Sequence, residues 1–277
     1  MNLIAPGAQN WEAYLELKLV RGEQKTRLVP VKRYGPLSVQ RPFYPEQETC
    51  HVYVLHPPGG VVGGDRLELK VNLESRASAL LTTPGATKFY QSAGLTAQVK
   101  QQLNVQPDAG LEYLPQENIY FPGSLVNAKT TLHVEQGSHA IIWEKHCFGR
   151  PVNNEFYSTG QVIIELELRQ DDRLLLVEKQ RIDAAEIKRA SGLRNHPVMG
   201  TLLVYSDRLN RELITTLREI PVLDGISGLT QPLENILVVR FMGNSTASVN
   251  DYFIKLLELL RPVILQKEMC RPRIWAT

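Results

Sequence analysis

The sequence predicts a large, mainly β fold, one unit over residues 1–277, with two or so helices placed mostly towards the C-terminus. Two patterns carry that expectation. Period-two alternation of apolar and polar residues recurs up to about Tyr205, as in strands with one buried face. Between these stretches stand short apolar runs bounded by turn dipeptides, as in strands covered on both faces.

In chain order, Leu15, Leu17 and Leu19 alternate with Glu16 and Lys18, and Val52 to Leu55 is continuously apolar. Residues 56–65 then read His-Pro-Pro-Gly-Gly-Val-Val-Gly-Gly-Asp. A phosphate loop needs a Lys and a hydroxyl after its last Gly and a helix beyond. Here Asp65 follows the last Gly, and Leu67 to Glu74 alternates as a strand, so the glycines join two strands. Further strands are expected at Ala79 to Leu81, Ala140 to Trp143, Val162 to Leu168, Leu174 to Val177, Leu202 to Tyr205 and Ile236 to Phe241. Of these, Val162 to Leu168 alternates, and the others read as covered on both faces. Gln136-Gly137 reads as the centre of a hairpin that sets His139 opposite Val134 and His133 opposite Ala140. Arg208 to Glu219 has one apolar side and predicts a helix capped by Ser206 or Asp207. Val249 to Ile264 predicts a longer one capped by Ser248, which Pro262 kinks or ends. This second helix has more large apolar residues than one packing stripe needs, so docking on a partner stands level with packing on its own sheet.

Composition excludes several classes. A net charge of +2, from 31 basic and 29 acidic residues with no basic block, gives no footprint for nucleic acid. Cys50, Cys147 and Cys270 lie far apart, match no zinc or disulfide spacing, and favour a reducing compartment. Met1 to Gly7 lacks a signal-peptide pattern, and no apolar run approaches the roughly 18 residues of a membrane span. A cytoplasmic location is expected, with no membrane partner.

Candidate chemistry is sparse. Cys50-His51 and His146-Cys147 are neighbours in expected strands, so each pair points to opposite faces and cannot chelate together. His56 and Asp65 bracket the glycine loop and are expected to approach one another, by a hydrogen bond that fixes the loop, as part of a cation site, or as a poised general base. Thr82 and Thr83 precede the Pro84-Gly85 turn, where hydroxyls serve backbone groups, and no catalytic elbow or triad occurs. Glu144 and Glu178 each follow an apolar strand run, so each either points inward or marks a strand end at the surface. Two other classes compete: a β-rich hydrolase pairing Asp65 with Glu117, against which stands the lack of any catalytic pattern, and a carbohydrate-binding β module, against which stand the 7% aromatic content and the wide spacing of Trp11, Trp143 and Trp275.

Five motifs in order, Gly59 to Leu67, Leu81 to Lys88, Leu114 to Ile119, Gly149-Arg150-Pro151 and Pro272-Arg273-Ile274-Trp275, resemble the urease accessory protein UreD (UreH) family over nearly the whole chain. Where that family has Gly-Glu shortly after its Gly-Arg pair, this chain has Asn153-Asn154-Glu155. The resemblance implies a fold of β-helix-like stacked sheets; the strand pattern alone suits a sandwich or barrel equally. It further implies a non-catalytic metallochaperone that helps load nickel into apo-urease with UreF and the GTPase UreG, leaving room for a homodimer within the accessory complex. No tightly bound cofactor is implied, only transient nickel(II).

A carrier that must release its metal is poorly served by a closed thiolate site, because such ligands hold divalent ions tightly. Scattered carboxylates, hydroxyls and water suit it better. On that ground Asp65, Thr83, Glu144 and Glu178 are expected to border a weak nickel path, with Asp65 foremost.

Overall fold

The structure, a computed structural model, describes residues 11–276; the reading of Met1 to Gly7 lies outside them. Strands β1 (Glu12–Arg21) and β2 (Thr26–Tyr34) pair antiparallel at one edge of a seven-stranded sheet. Next, β3 (Ser38–Val39) and β4 (Cys50–Leu55) begin an eleven-stranded sheet. The chain then coils from sheet to sheet. β5 (Arg66–Leu73) joins the first, β6 (Ser78–Thr82) the second, and β7 (Thr87–Phe89) lies at the margin of the second. β8 (Ala97–Val105), β9 (Gly110–Tyr113) and β10 (Asn118–Tyr120) repeat this coil, and β11 (Leu125–Val134) and β12 (His139–Arg150) begin another. Successive coils stack in parallel, β5 on β8 on β11 and β6 on β9 on β12.

A short β13 (Glu155–Phe156) leads to β14 (Gln161–Gln170), parallel to β11, and β15 (Arg173–Ile182) returns antiparallel as the far edge. After α1 (Ala184–Lys188), the strand β16 (Val198–Tyr205), the helix α2 (Arg211–Glu219), and the strands β17 (Ile226–Leu233) and β18 (Ile236–Gly243) follow, the strands completing the second sheet. The last long element, α3 (Thr246–Ile264), lies on β12, β16 and β18. The winding matches the stacked sheets that the resemblance implied. Sequence alternation reports that one face is covered but not which strand is the neighbour, so it could not choose among sandwich, barrel and coil.

Several expectations need correction. Gln136-Gly137 does not centre a hairpin: β11 and β12 belong to different sheets, and the turn is a corner of the coil. His133 instead lies beside Asn104 and Arg169, and His139 beside Gly110. Leu174 to Val177 is not covered on both faces, because β15 is an edge strand that leaves Leu174 48% and Val177 51% exposed. The first long helix starts at Arg211, where Asn210 accepts from the Leu213 amide; the Ser206 hydroxyl is already engaged with His139 and the Arg208 amide. The last helix starts at Thr246 under a Ser245 cap, and Ser248, inside it, bonds Asp224. Pro262 does not end this helix, which continues to Ile264.

Two apolar layers result. One fills the space between the sheets with the inward rows of β1, β5, β8, β11 and β14. The other lies between the outer face of the second sheet and the helices, where Val249, Phe253, Leu256, Leu257 and Leu260 of α3 are buried. The stripe of α3 is therefore covered by its own sheet. At the Asn153-Asn154 departure the chain takes a positive φ of 56° at Asn154, a conformation Gly enters freely and Asn tolerates better than most residues.

Candidate functional site

In the coiled strands, residues of equal register form rows across the inner face of the first sheet. The row Val71, Leu103, Leu132, Leu168 is aliphatic throughout. The neighbouring row runs Leu69, Gln101, Thr130, Leu166 and ends on β15 at Glu178, so polar groups interrupt the apolar layer at this level alone in β8 and β11. Facing it, Glu144, Thr201 and Arg240 are paired across β12, β16 and β18.

The two rows touch. Thr130 donates its hydroxyl to Glu144 Oε1 at 2.5 Å, and Gln101 Oε1 stands 2.9 Å from the same hydroxyl. One hydroxyl proton serves one acceptor at a time, and the carboxylate is the stronger. Glu144 Oε2 lies 3.7 Å from His146 Nε2, and His146 Nδ1 lies 3.0 Å from the Tyr120 hydroxyl. Burial, and then the Glu144 charge, push the Tyr113 and Tyr120 phenols up, so both stay protonated. At the far end Arg240 pairs with Glu178. Glu144 and Glu178 thus lie in one polar layer, each inside a strand and neither at a strand end.

The layer meets a cavity at each end. Thr201 and Arg240 line one of about 670 Å³ near Lys179, Arg181 and Arg194. Gln101 and Tyr113 line another of about 260 Å³, bordered by the glycine loop at Gly59 and Gly60, by His56 and by Thr83. Thr83 Oγ1 accepts from the Gln116 amide at 2.9 Å and donates to Gly85 O at 3.1 Å, the backbone service expected of it.

Asp65 is held apart from the layer. It is fully buried, and its two oxygens accept the amides of Trp11 at 2.8 Å and Val62 at 2.9 Å. It fixes the glycine loop through backbone amides; no hydrogen bond joins it to His56 among the described residues. His56 Nε2 is buried without a hydrogen-bond partner among those residues, and burial lowers the imidazole's pKa against the opposing pull of Asp65. Close approach explains the glycines: a Cβ at Gly60 would stand 2.2 Å from the Tyr90 ring, and one at Gly63 the same distance from Ser92 Oγ.

Among the described residues the two other classes find no site. The carboxylates of the hydrolase reading face different surroundings, Asp65 on backbone amides and Glu117 acting on Lys145 and Cys147. Of the tryptophans, Trp143 is buried and packs tilted against Trp275 with ring centroids 5.4 Å apart, so among the described residues they form no exposed aromatic platform with Trp11. Among the described residues no helix is long and apolar enough to cross a membrane.

Sequence reading missed Gln101, Thr130, Thr201 and His146 as partners of Glu144. The available signal was a polar residue at an inward position of a strand, as Gln101 is between Val99 and Leu103. It also missed that the tail brings Cys270 beside Glu46 and His51.

Chemically, the layer offers carboxylate, hydroxyl, amide and imidazole, donors that bind a divalent cation without a thiolate's grip. Arg240 neutralises Glu178, so that acid is open to a cation only when the guanidinium turns away.

The family model described as UreD urease accessory protein matches residues 12–276. A urease accessory protein UreD of Aliivibrio fischeri (strain MJ11) is 43% identical over 288 residues, covering 100% of both chains. The protein of that name from Alcanivorax borkumensis is 42% identical, covering 99% of this chain and 98% of its own, and that from Klebsiella aerogenes 38%, covering 99% and 100%. With so continuous a match, the chain belongs to the UreD urease accessory protein family, a family of accessory proteins and not of enzymes.

Proposed function

We propose that this protein assists nickel insertion into apo-urease, in a cytoplasmic complex with UreF and UreG that has room for a second copy of the chain. Nickel(II) passes through it as cargo. The carrying observation is the polar layer from Gln101 through Thr130, Glu144 and Thr201 to Arg240 and Glu178, which lies between apolar rows and opens on a cavity at either end. Buried oxygen donors stepped along such a layer hold a divalent cation loosely and let it move on.

Of the four expected border residues, Glu144 and Glu178 lie in the layer and Thr83 borders the cavity at one end. Asp65 keeps a supporting part: it shapes the loop beside that cavity. His56, with its free ring nitrogen at the same cavity, joins the candidates.

The test is Glu144→Gln, alone and with Glu178→Gln, in cells that express urease and the full accessory set. The expected result is a loss of urease activation while UreF and UreG still co-purify with the variant. Normal activation by the double variant would overturn the path.

A further inference from the structure

Away from the polar layer, the chain after α3 folds back over the start of β4. Arg261 straps it down: Nη2 reaches both Glu46 oxygens at 2.9 and 2.8 Å, and Nη1 donates to the Glu268 carbonyl. Lys267 adds hydrogen bonds to Thr49 and, at 2.6 Å, to Ser78. This strapping sets the half-buried Cys270 beside Glu46 and His51, residues more than two hundred positions earlier.

One carboxylate oxygen of Glu46, one ring nitrogen of His51 and the sulfur of Cys270 lie within 4.8 Å of one another. Three donors gathered this closely need only small side-chain shifts to share one cation at ordinary ligand distances of about 2.0–2.3 Å. Burial is against ionised Glu46, but the His51 hydrogen bond and the Arg261 guanidinium hold its carboxyl below the usual range. His51 is fully buried; Nε2 lies 2.5 Å from Glu46 Oε1, and Nδ1 has no partner among the described residues. Arg261 also holds Glu112 through two bonds, at 2.8 and 2.9 Å, so it stays paired if Glu46 turns to a cation.

We propose that Glu46, His51 and Cys270 form a three-donor site for a borderline-soft divalent cation, which staples the C-terminal tail to the start of β4. An oxygen, an imidazole nitrogen and a thiolate favour zinc(II) and its neighbours over magnesium or calcium. The metal–sulfur bond forms as the Cys270 thiol releases its proton to solvent, and the half-buried thiol leaves room for water as a fourth ligand. A thiolate site retains metal, which separates it in kind from a transmitting path. It also stands on a different face: Cys50 packs in the core between the sheets, and His51 beside it points the other way.

The test uses the full chain with cobalt(II) and zinc(II) as probes. Cobalt(II) is expected to give a near-ultraviolet thiolate charge-transfer band that saturates at one equivalent, that zinc(II) displaces, that Cys147→Ser retains and that Cys270→Ser abolishes. Zinc(II) affinity, read by competition with a chromophoric chelator, is expected to fall by about tenfold or more in Glu46→Gln and His51→Gln. No band in the wild-type protein, or a band that survives Cys270→Ser, would overturn the site. Should Cys270→Ser fail to fold, alkylation of Cys270 in the wild-type protein decides: zinc(II) is expected to slow it about tenfold or more, and an unchanged rate rejects the proposal. Urease activation is not a readout here, so failure of this site and failure of the nickel path are separable.

Discussion

The Thr130 hydroxyl and the Glu144 carboxylate meet at 2.5 Å across the gap between the two sheets, in a layer whose neighbouring row is wholly aliphatic. A buried carboxylate without a donor is costly, and this hydroxyl donates to Glu144 Oε1. Thr130→Val keeps the shape and removes the donor. It is expected to destabilise the fold by about 1–3 kcal/mol in urea unfolding and to reduce urease activation in cells. Thr130→Ser, which keeps the hydroxyl, is expected to recover both. Activation lost equally in the two variants would show that the hydroxyl is not what matters.

Asp65 makes a different prediction, because both its oxygens already accept backbone amides. Asp65→Asn retains one acceptor and turns an amide NH₂ towards the other donor, at a cost of about 1–3 kcal/mol. Hydrogen exchange at the Trp11 and Val62 amides is expected to accelerate, and any loss of urease activation to follow the loss of folded protein. An Asp65→Asn protein with native exchange at both amides and no activation would return Asp65 to the nickel path.

How much was legible follows from such residues. Alternation in β1, β5 and β14 was readable because every inward position is apolar and most outward ones are polar, Val20 and Ile163 being exceptions. In β8 and β11 it was blurred by Gln101 and Thr130, the residues that join Glu144. A polar side chain at an inward position weakens the strand signal and marks the site at once. The Glu144–Thr201–Arg240 row was out of reach, since it depends on antiparallel register between strands distant in sequence. The same holds for Cys270 and His51, which only the folded-back tail brings together.

That tail is anchored by a buried charge network. Arg261 is fully buried and bonds Glu112 through Nε and Nη2, while burial raises the Glu112 pKa against the pull of Arg261. Arg261→Met leaves Glu112 buried with no cation, and is expected to cost about 3–5 kcal/mol in denaturant unfolding. Adding Glu112→Leu removes the stranded acid and is expected to recover much of that loss. A double variant no better than the single one would show that the tail contacts of Arg261, and not the stranded Glu112, carry the effect.

Lys145 supplies a prediction in pH. It lies on the face of β12 opposite Glu144, against α3, where it bonds Asn250 at 2.8 Å and stands over the Trp143 ring. Burial lowers its pKa to about 8, with the Glu117 charge opposing. In the unfolded chain the amine titrates at about 10.4, so between about pH 8 and pH 10 the unfolded state binds the extra proton. Folding stability from this group therefore rises with pH across that window, the penalty of the buried ammonium being fully present below it. Buried tyrosines act in the opposite sense above about pH 10, because their phenols ionise more readily in the unfolded chain. The effect is isolated by comparing the wild-type protein with Lys145→Met: the wild type is expected to gain stability relative to the variant between pH 7.5 and pH 9.5, read from urea midpoints. A difference that does not move with pH would mean that Lys145 stays charged in place, held by Asn250 and Trp143.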